Sequence, residues 1–161
     1  MKSKSRSPFD QNPAIKLWQL WEQGERPDVK LYVEMAEIES VDLLVEILQV
    51  DQTQRWGNGD QIQCEEYIDQ FPILDQPETA SQLLDLIYSE ICLREDSGES
   101  PVIEEYLTRF PSLSNDLKNQ FQIHCQFGRQ ALSESLSVSI RSHLLSQTSP
   151  TRGDTKLHGR Q

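Results

Sequence analysis

Apolar residues recur along the middle of this chain at the spacing of one helical face, and turn-forming residues separate the apolar stretches. The clearest stretch has apolar side chains at positions i, i+3, i+4 and i+7, namely Ile103, Tyr106, Leu107 and Phe110. Because residues at this spacing share one side of an α-helix, the pattern predicts a short amphipathic helix. We expect Pro101 in its first turn and Pro111 just beyond its end, because proline disfavours the α conformation of the preceding residue.

The same pattern predicts helices from residue 13 to about residue 128. Four side chains that can accept hydrogen bonds from free backbone N–H groups are expected to cap helices, namely Asp28, Ser40, Ser81 and Ser114. The expected helices cover roughly residues 13–23, 29–38, 41–56, 64–71, 81–95, 101–110 and 114–128, with a weaker pattern at 134–146. We therefore predict an all-α domain of about six to eight short helices, with an internal helical repeat and disordered termini.

Three glycines mark the internal repeat. Counted from Gly59 and from Gly98, a tyrosine lies at +8, a phenylalanine at +12 and a proline at +13. A weaker copy follows Gly24, with a proline at +3 and a tyrosine at +8 but no Phe-Pro pair. Such self-similarity is typical of stacked helical units. The motif residues, with three tryptophans that we expect in the core, are Trp18, Trp21, Gly24, Pro27, Tyr32, Trp56, Gly59, Tyr67, Phe71, Pro72, Gly98, Pro101, Tyr106, Phe110 and Pro111.

These residues resemble the helical segment found ahead of the catalytic domain in planctomycete-type bacterial serine/threonine protein kinases. The family pattern is a tryptophan, a glycine, a proline before a helix, a tyrosine or phenylalanine, and Phe-Pro. The resemblance lies in residues 17–28, 50–56, 88–95 and 104–111. It implies a regulatory or docking module rather than a catalyst.

The catalytic part of such a kinase has no counterpart in the sequence. There is no glycine-rich phosphate loop, strand lysine, His-Arg-Asp loop or Asp-Phe-Gly motif, which are the groups that hold metal ions and phosphates during phosphoryl transfer. Three hypotheses remain. We favour a non-enzymatic protein-interaction or regulatory module. The others are an N-terminal fragment of a kinase whose catalytic domain is missing from this chain, and a structural or self-associating helical protein.

Charge divides the chain into three parts. Residues 17–127 carry 23 acidic and 6 basic side chains, whereas the two ends together carry 3 acidic and 9 basic ones. An acidic body repels phosphate backbones, so we expect no nucleic-acid partner. We read the surplus as a solvated surface, the alternative being a docking face for a basic partner. The predicted parts are a disordered basic N-terminus (1–12), a helical repeat domain (13–130) and a Ser-rich, mostly disordered tail (131–161).

No group of residues in the sequence predicts a catalytic, cofactor or metal site. Cys64, Cys92 and Cys125 form no Cys-x-x-Cys pair, so the sequence does not predict a zinc site. Cys64 and Cys92 lie on apolar helical faces, which favours core positions. An odd number of cysteines without a disulfide framework favours a reducing, cytoplasmic setting. Neither a membrane span nor a signal peptide is predicted. His124 and Cys125 are helix neighbours that point about 100° apart, so we interpret His124 as a core-edge residue. The expected partner is a protein, with no cofactor, metal, nucleic acid or membrane.

Overall fold

A computed structural model describes residues 12–136 and, within them, the side chains as far as residue 126. This part of the chain is all-α, as predicted, and contains no strand. The predicted N-terminal disorder and the tail beyond residue 136 lie outside the described residues. The helices are α1 (Pro13–Glu22), α2 (Val29–Met35), α3 (Val41–Gly57), α4 (Cys64–Gln70), α5 (Ala80–Asp96), α6 (Ile103–Arg109) and α7 (Ser114–Leu136).

Longer and shorter helices alternate along the chain. The longer helices pack in sequence, α1 on α3, α3 on α5 and α5 on α7, and each short helix packs on the longer helix that follows it. We call α1–α2, α3–α4 and α5–α6 the first, second and third helix pairs. Because α3 lies between α1 and α5, it buries apolar residues on more than one side, among them Leu44, Ile47 and Leu48.

The three motif glycines end the longer helices of the pairs in the same way. Gly24, Gly59 and Gly98 have φ angles of +83°, +85° and +87°. The residue after each glycine donates its N–H to the carbonyl five positions earlier, at 2.9–3.1 Å. This bond, with a second from the glycine itself, is the Schellman arrangement that satisfies free carbonyls at a helix end. A positive φ is the reason for glycine at these positions.

Two short helices end at Phe-Pro pairs, as predicted. α4 stops before Phe71 and α6 stops before Phe110. The proline after each phenylalanine begins a 3₁₀ turn, at Pro72–Asp75 and at Pro111–Leu113. These turns carry the chain from the short helix towards the next long one, with a further 3₁₀ turn at Pro77–Thr79 before α5.

The first pair ends differently. α2 stops at Met35, three residues before the predicted end, because Glu37 adopts a left-handed conformation with φ +51°. The N–H of Ile38 then bonds to the carbonyl of Val33, so a left-handed residue ends this helix instead of a proline. The predicted cap of the same helix is confirmed, since Asp28 Oδ1 accepts the N–H of Leu31 at 2.9 Å.

The predicted caps of α5 and α7 and the predicted start of α6 are wrong. α5 begins at Ala80, so Ser81 lies inside it, because the preceding 3₁₀ turn leads directly into the helix. α7 likewise begins at Ser114 itself, after a 3₁₀ turn, and needs no separate cap. α6 begins at Ile103, so Pro101 precedes the helix instead of lying in its first turn.

The predicted end of the last helix is also too early. α7 continues through Gly128 to Leu136, beyond the predicted helix end near 128. In contrast with the motif glycines, Gly128 lies within the helix. A lone glycine inside a helix costs about 1 kcal/mol relative to alanine, which does not suffice to stop it.

The core contains residues from every helix, and three tyrosines are among its largest enclosed side chains. Tyr67, Tyr88 and Tyr106 are at most 2% exposed. Trp21 is buried as predicted, but Trp18 and Trp56 are only partly buried and pack at the edge of the core. Trp56 directs its indole N–H to the carbonyl of Ile62 at 3.0 Å, and this bond keeps part of the ring near the surface.

Candidate functional site

The motif tyrosines of the second and third pairs bring their hydroxyls to buried carboxylates. Tyr67 donates to Asp51 Oδ2 at 2.7 Å, and Tyr106 donates to Glu90 Oε1 at 3.0 Å. Both acids lie eight residues before the motif glycine of their pair, and both are almost fully buried. A buried carboxylate is costly unless it is paired, so the neighbouring cations decide what these sites can do.

In the second pair Arg55 neutralises Asp51. Its Nε donates to Asp51 Oδ2 at 2.7 Å, and Nη1 donates to Asp60 Oδ2 at 2.8 Å. The other oxygen of Asp51, Oδ1, is buried without a hydrogen-bond partner. Burial consequently raises the pKa of Asp51, although the hydrogen bonds from Tyr67 and Arg55 lower it. Burial and the adjacent Asp51 carboxylate also raise the pKa of Tyr67.

The third pair has a larger set of partners. Arg94 lies four residues before the glycine, as Arg55 does in the second pair. Its Nε donates to Glu99 Oε2 at 2.7 Å, and its Nη1 donates to Glu105 Oε1 at 2.7 Å and to the Tyr106 hydroxyl at 3.1 Å. Arg94 does not neutralise Glu90 as Arg55 neutralises Asp51; instead another arginine does.

Arg109, the last residue of α6, is that second cation. Its Nη1 donates to Glu90 Oε1 at 2.6 Å and to Glu105 Oε1 at 3.2 Å. Its Nε donates to Glu65 Oε1 on α4 at 2.6 Å, so one guanidinium joins the third pair to the second. Burial opposes ionisation of Glu65, but the hydrogen bonds from Arg109 and from its own backbone lower its pKa.

Glu90 makes the second connection between these pairs. Its Oε2 accepts the backbone N–H of Cys64, the first residue of α4, at 2.8 Å. That N–H has no partner within its own helix, so a carboxylate from α5 satisfies it. The Cys64 thiol is fully buried, and burial together with Glu90 raises its pKa, which makes it a poor nucleophile. We call Glu65, Glu90, Arg94, Glu99, Glu105, Tyr106 and Arg109 the ionic network.

The first pair has neither an acid nor an arginine at the corresponding positions. Lys16 and Leu20 stand at the offsets of the buried acid and of the arginine. The hydroxyl of Tyr32 donates instead to the backbone carbonyl of Pro13 at 2.7 Å, and burial raises the pKa of this tyrosine to about 12. Among the side chains described, as far as residue 126, the buried carboxylates therefore belong to the second and third pairs alone.

The motif tyrosines could be identified in the sequence, but their buried acid partners, Asp51 and Glu90, were not predicted. A usable signal existed, because Asp51 and Glu90 share the offset −8 from the motif glycine, and Asp60 and Glu99 share +1. No such signal marks Arg109, since the matching residue of the second pair is a glutamine. Its role follows from tertiary contact alone.

His124 lies at the edge of the core, in agreement with the prediction. Its Nδ1 is 2.8 Å from the Tyr88 hydroxyl and its Nε2 is 2.9 Å from Glu95 Oε1. Both partners lie on α5, so this histidine fastens α7 to α5. Its neighbour Cys125 is exposed, and the prediction that Cys92 is a core residue is only partly right because Cys92 is half-buried.

Among the described side chains, no three His, Cys, Asp or Glu residues are arranged to hold a metal ion. A depression of about 230 Å³ beside Trp21 contains Arg26, Asp28, Arg55 and Asp60. Three of these groups are engaged in the fold, because Asp28 caps α2 and Arg55 bonds to Asp60. Of the two buried acids, Asp51 joins the helices of the second pair, whereas Glu90 joins the third pair to the second.

A second depression of about 300 Å³ lies where the two Phe-Pro turns approach the start of α5 and α7. We call it the turn cleft. Buried Leu74, Leu83 and Leu113 contribute to its apolar side, and exposed Asp75 and Asp116 line it as well. Leu74 and Leu113 hold the same offset, +15, from their motif glycines. No basic side chain lines the turn cleft among the described residues.

The remaining comparisons concern membranes and known proteins. Within the described range, every helix is too short or too polar to cross a lipid bilayer. Neither a scan against models of protein families nor searches of curated proteins and of solved structures find a match to this chain.

Proposed function

We propose that this protein is a non-enzymatic helical interaction module, and that the turn cleft binds a basic peptide segment with one apolar anchoring side chain. We also infer that the three helix pairs are copies of one repeat. The observation that carries the proposal is the composition of the turn cleft, which combines buried leucines with carboxylates and has no cation among its described lining residues.

The apolar side of the cleft fits one anchoring side chain. Its volume of about 300 Å³ is at the small end of ligand pockets, which are roughly 300–1,000 Å³. A leucine or phenylalanine seated against Leu74, Leu83 and Leu113 would be removed from water, and such burial contributes about 1.5–3 kcal/mol per side chain.

The acidic side selects the charge of the partner. Asp75 and Asp116 are exposed and form no described ion pair, so their carboxylates are free to meet lysine or arginine. The surplus of acidic residues in the body, which repels anionic partners, attracts a cationic one over a longer range. The resemblance to a segment that precedes bacterial kinase domains supports the same docking role.

Fluorescence polarisation with labelled peptides tests this proposal. The peptides carry one leucine flanked on each side by lysine and arginine, and the comparison peptides carry glutamate in place of the basic residues. We expect the basic peptides to bind and the acidic ones not to bind. The double charge reversal Asp75→Lys and Asp116→Lys should weaken binding by at least about tenfold, because it replaces attraction with repulsion.

The matched control reverses two exposed acids outside the cleft, Glu39→Lys and Glu104→Lys. It makes the same change in net charge, so it measures the nonspecific attraction. If both double variants weaken binding equally, or if no basic peptide binds, the turn cleft is not a docking site.

A further inference from the structure

The outer face of α2 differs from the same face of α6. The residues at +7 and +11 from the motif glycine are Glu105 and Arg109 in the third pair, and Leu31 and Met35 in the first. Glu105 and Arg109 belong to the ionic network, and Arg109 extends to Glu65 on the short helix of the preceding pair. Position +11 of α6 therefore faces the pair that comes before it.

In the first pair the same positions are apolar and open to solvent. Leu31 is 55% exposed and Met35 is 65% exposed, the largest exposed fraction among the large apolar side chains of the described range. They lie one helical turn apart and share a face of α2. Leu20, at the offset of Arg94, is also apolar. The first pair thus has apolar residues where the third pair has members of the ionic network.

The far end of the stack is more polar over the described side chains of α7. Its exposed positions include Lys118, Gln122 and Gln126, which are spaced four residues apart, and only Ile123, at 40% exposure, is a large apolar residue there. A head-to-tail stack of molecules would place this polar side against Leu31 and Met35. A self-complementary contact, in which the same surface meets itself across a two-fold axis, has no such mismatch.

We propose that the α2 face pairs with the α2 face of a second copy of this chain, with the two helices antiparallel. In this arrangement Leu31 of one copy meets Met35 of the other. Lys30 and Glu34 are both exposed and lie one turn apart on the flank of the same face. Antiparallel pairing brings Lys30 beside Glu34 of the second copy, and the two-fold axis produces this ion pair twice.

The contact resembles one already present in the molecule, where Arg109 at position +11 of α6 meets Glu65 on α4, the short helix before it. It is smaller than the roughly 1,200 Å² that stable complexes bury, so the dimer should be a weak one. The inference does not depend on the turn cleft, because α2 contributes no residue to it.

Sedimentation equilibrium of the full chain, from about 5 µM to about 500 µM, covers the range expected for a small interface. We expect a monomer–dimer equilibrium in this range. Leu31→Glu combined with Met35→Glu should weaken the dimer by at least about tenfold, because it buries like charges at the contact. The matched control is Val102→Glu, whose wild-type side chain is also 55% exposed but lies ahead of α6, and it should dimerise as the wild type does.

A charge exchange tests the antiparallel geometry. Lys30→Glu places two acids beside each other across the axis and should weaken the dimer, whereas Lys30→Glu with Glu34→Lys restores the opposite charges and should recover it. A monomer at every concentration overturns the proposal. So does a dimer that persists in the Leu31→Glu and Met35→Glu variant, one that is lost equally in Val102→Glu, or one that the charge exchange fails to restore. Circular dichroism of each variant confirms that it is folded.

Discussion

Replacing Arg109 with methionine removes the cation that joins the second and third helix pairs. Methionine keeps much of the aliphatic length of arginine but has no N–H donor. Glu65 then loses its described ion-pair partner, and Glu90 loses its only described cation. Glu90 is 1% exposed, so its carboxylate stays in the interior with only the Cys64 N–H and the Tyr106 hydroxyl as donors.

The size of the effect follows from burial. Removing one partner of a buried ion pair costs about 3–5 kcal/mol, because the remaining charge is left uncompensated. The two remaining donors to Glu90, and the 14% exposure of the Arg109 side chain, place the expected cost at the lower end, about 3 kcal/mol. Domains of this size unfold with a free energy of about 5–15 kcal/mol, so the melting temperature should fall by about 10 °C.

Urea and thermal unfolding followed by circular dichroism measure this loss. The control is Gln70→Met, because Gln70 has the same offset from its motif glycine and is also half-buried, but it takes no part in an ion pair. Its free energy of unfolding should stay within about 0.5 kcal/mol of the wild-type value.

A double variant distinguishes the ion pair from simple loss of packing. With Glu90→Met added to Arg109→Met, no buried carboxylate is left without its cation, and Glu65, whose side chain is 41% exposed, is accessible to water. The two changes should therefore cost at least about 1 kcal/mol less than the sum of the single changes. The ionic network does not hold the pairs together if the Arg109→Met protein has the same melting temperature as the wild type. The same conclusion follows if the losses in free energy of unfolding from the two single changes simply add in the double variant.

Three further predictions concern the turns, the thiols and the alkaline limit. Gly98→Ala should lower the free energy of unfolding by about 1–2 kcal/mol, because residue 98 has a positive φ. Gly57→Ala, at the end of α3, should raise it by up to about 1 kcal/mol. Chemical denaturation of both variants measures these changes. A thiol reagent should modify exposed Cys125 in the folded protein and buried Cys64 only after unfolding, and peptide mapping identifies the modified residue. Tyr32, with its pKa raised from 10.0 to about 12, keeps its proton in the folded state after the unfolded chain has lost it. Its stabilising contribution is therefore complete below pH 10 and is lost as the pH rises through 12, and Tyr32→Phe should make unfolding less dependent on pH in that window.

Features that depend on a few neighbouring residues could be predicted from the sequence. Asp28 and Ser40 cap the helices that they were expected to cap, since an N-cap needs only a side-chain acceptor and the backbone three residues on. The ends of α4 and α6 at Phe-Pro pairs could also be predicted, because proline acts on the residue directly before it. The caps predicted at Ser81 and Ser114 were wrong, because a 3₁₀ turn precedes each helix and supplies the geometry that a capping residue would otherwise supply.

The ionic network could not be predicted, because its members are far apart in the chain. Arg109 and Glu65 are separated by 44 residues, and Cys64 and Glu90 by 26. A Glu-Glu pair stands directly ahead of each of two motif tyrosines, at Glu65-Glu66 and Glu104-Glu105. Acids in the first turn complement the helix dipole, which explains their charge but not their partners. Only the packing of α4 and α6 beside α5 shows why an arginine ends α6.

The short length of α2 also bears on the order in which parts of the protein open. α2 has seven residues and packs on α3, whereas α1 is in extensive contact with α3. A helix with few buried contacts opens at a lower cost than the rest of a domain, so in dilute solution the amide protons of α2 should exchange with deuterium early, whereas those of α5, packed on both sides, should exchange last. α2 would then open without disturbing the other helices.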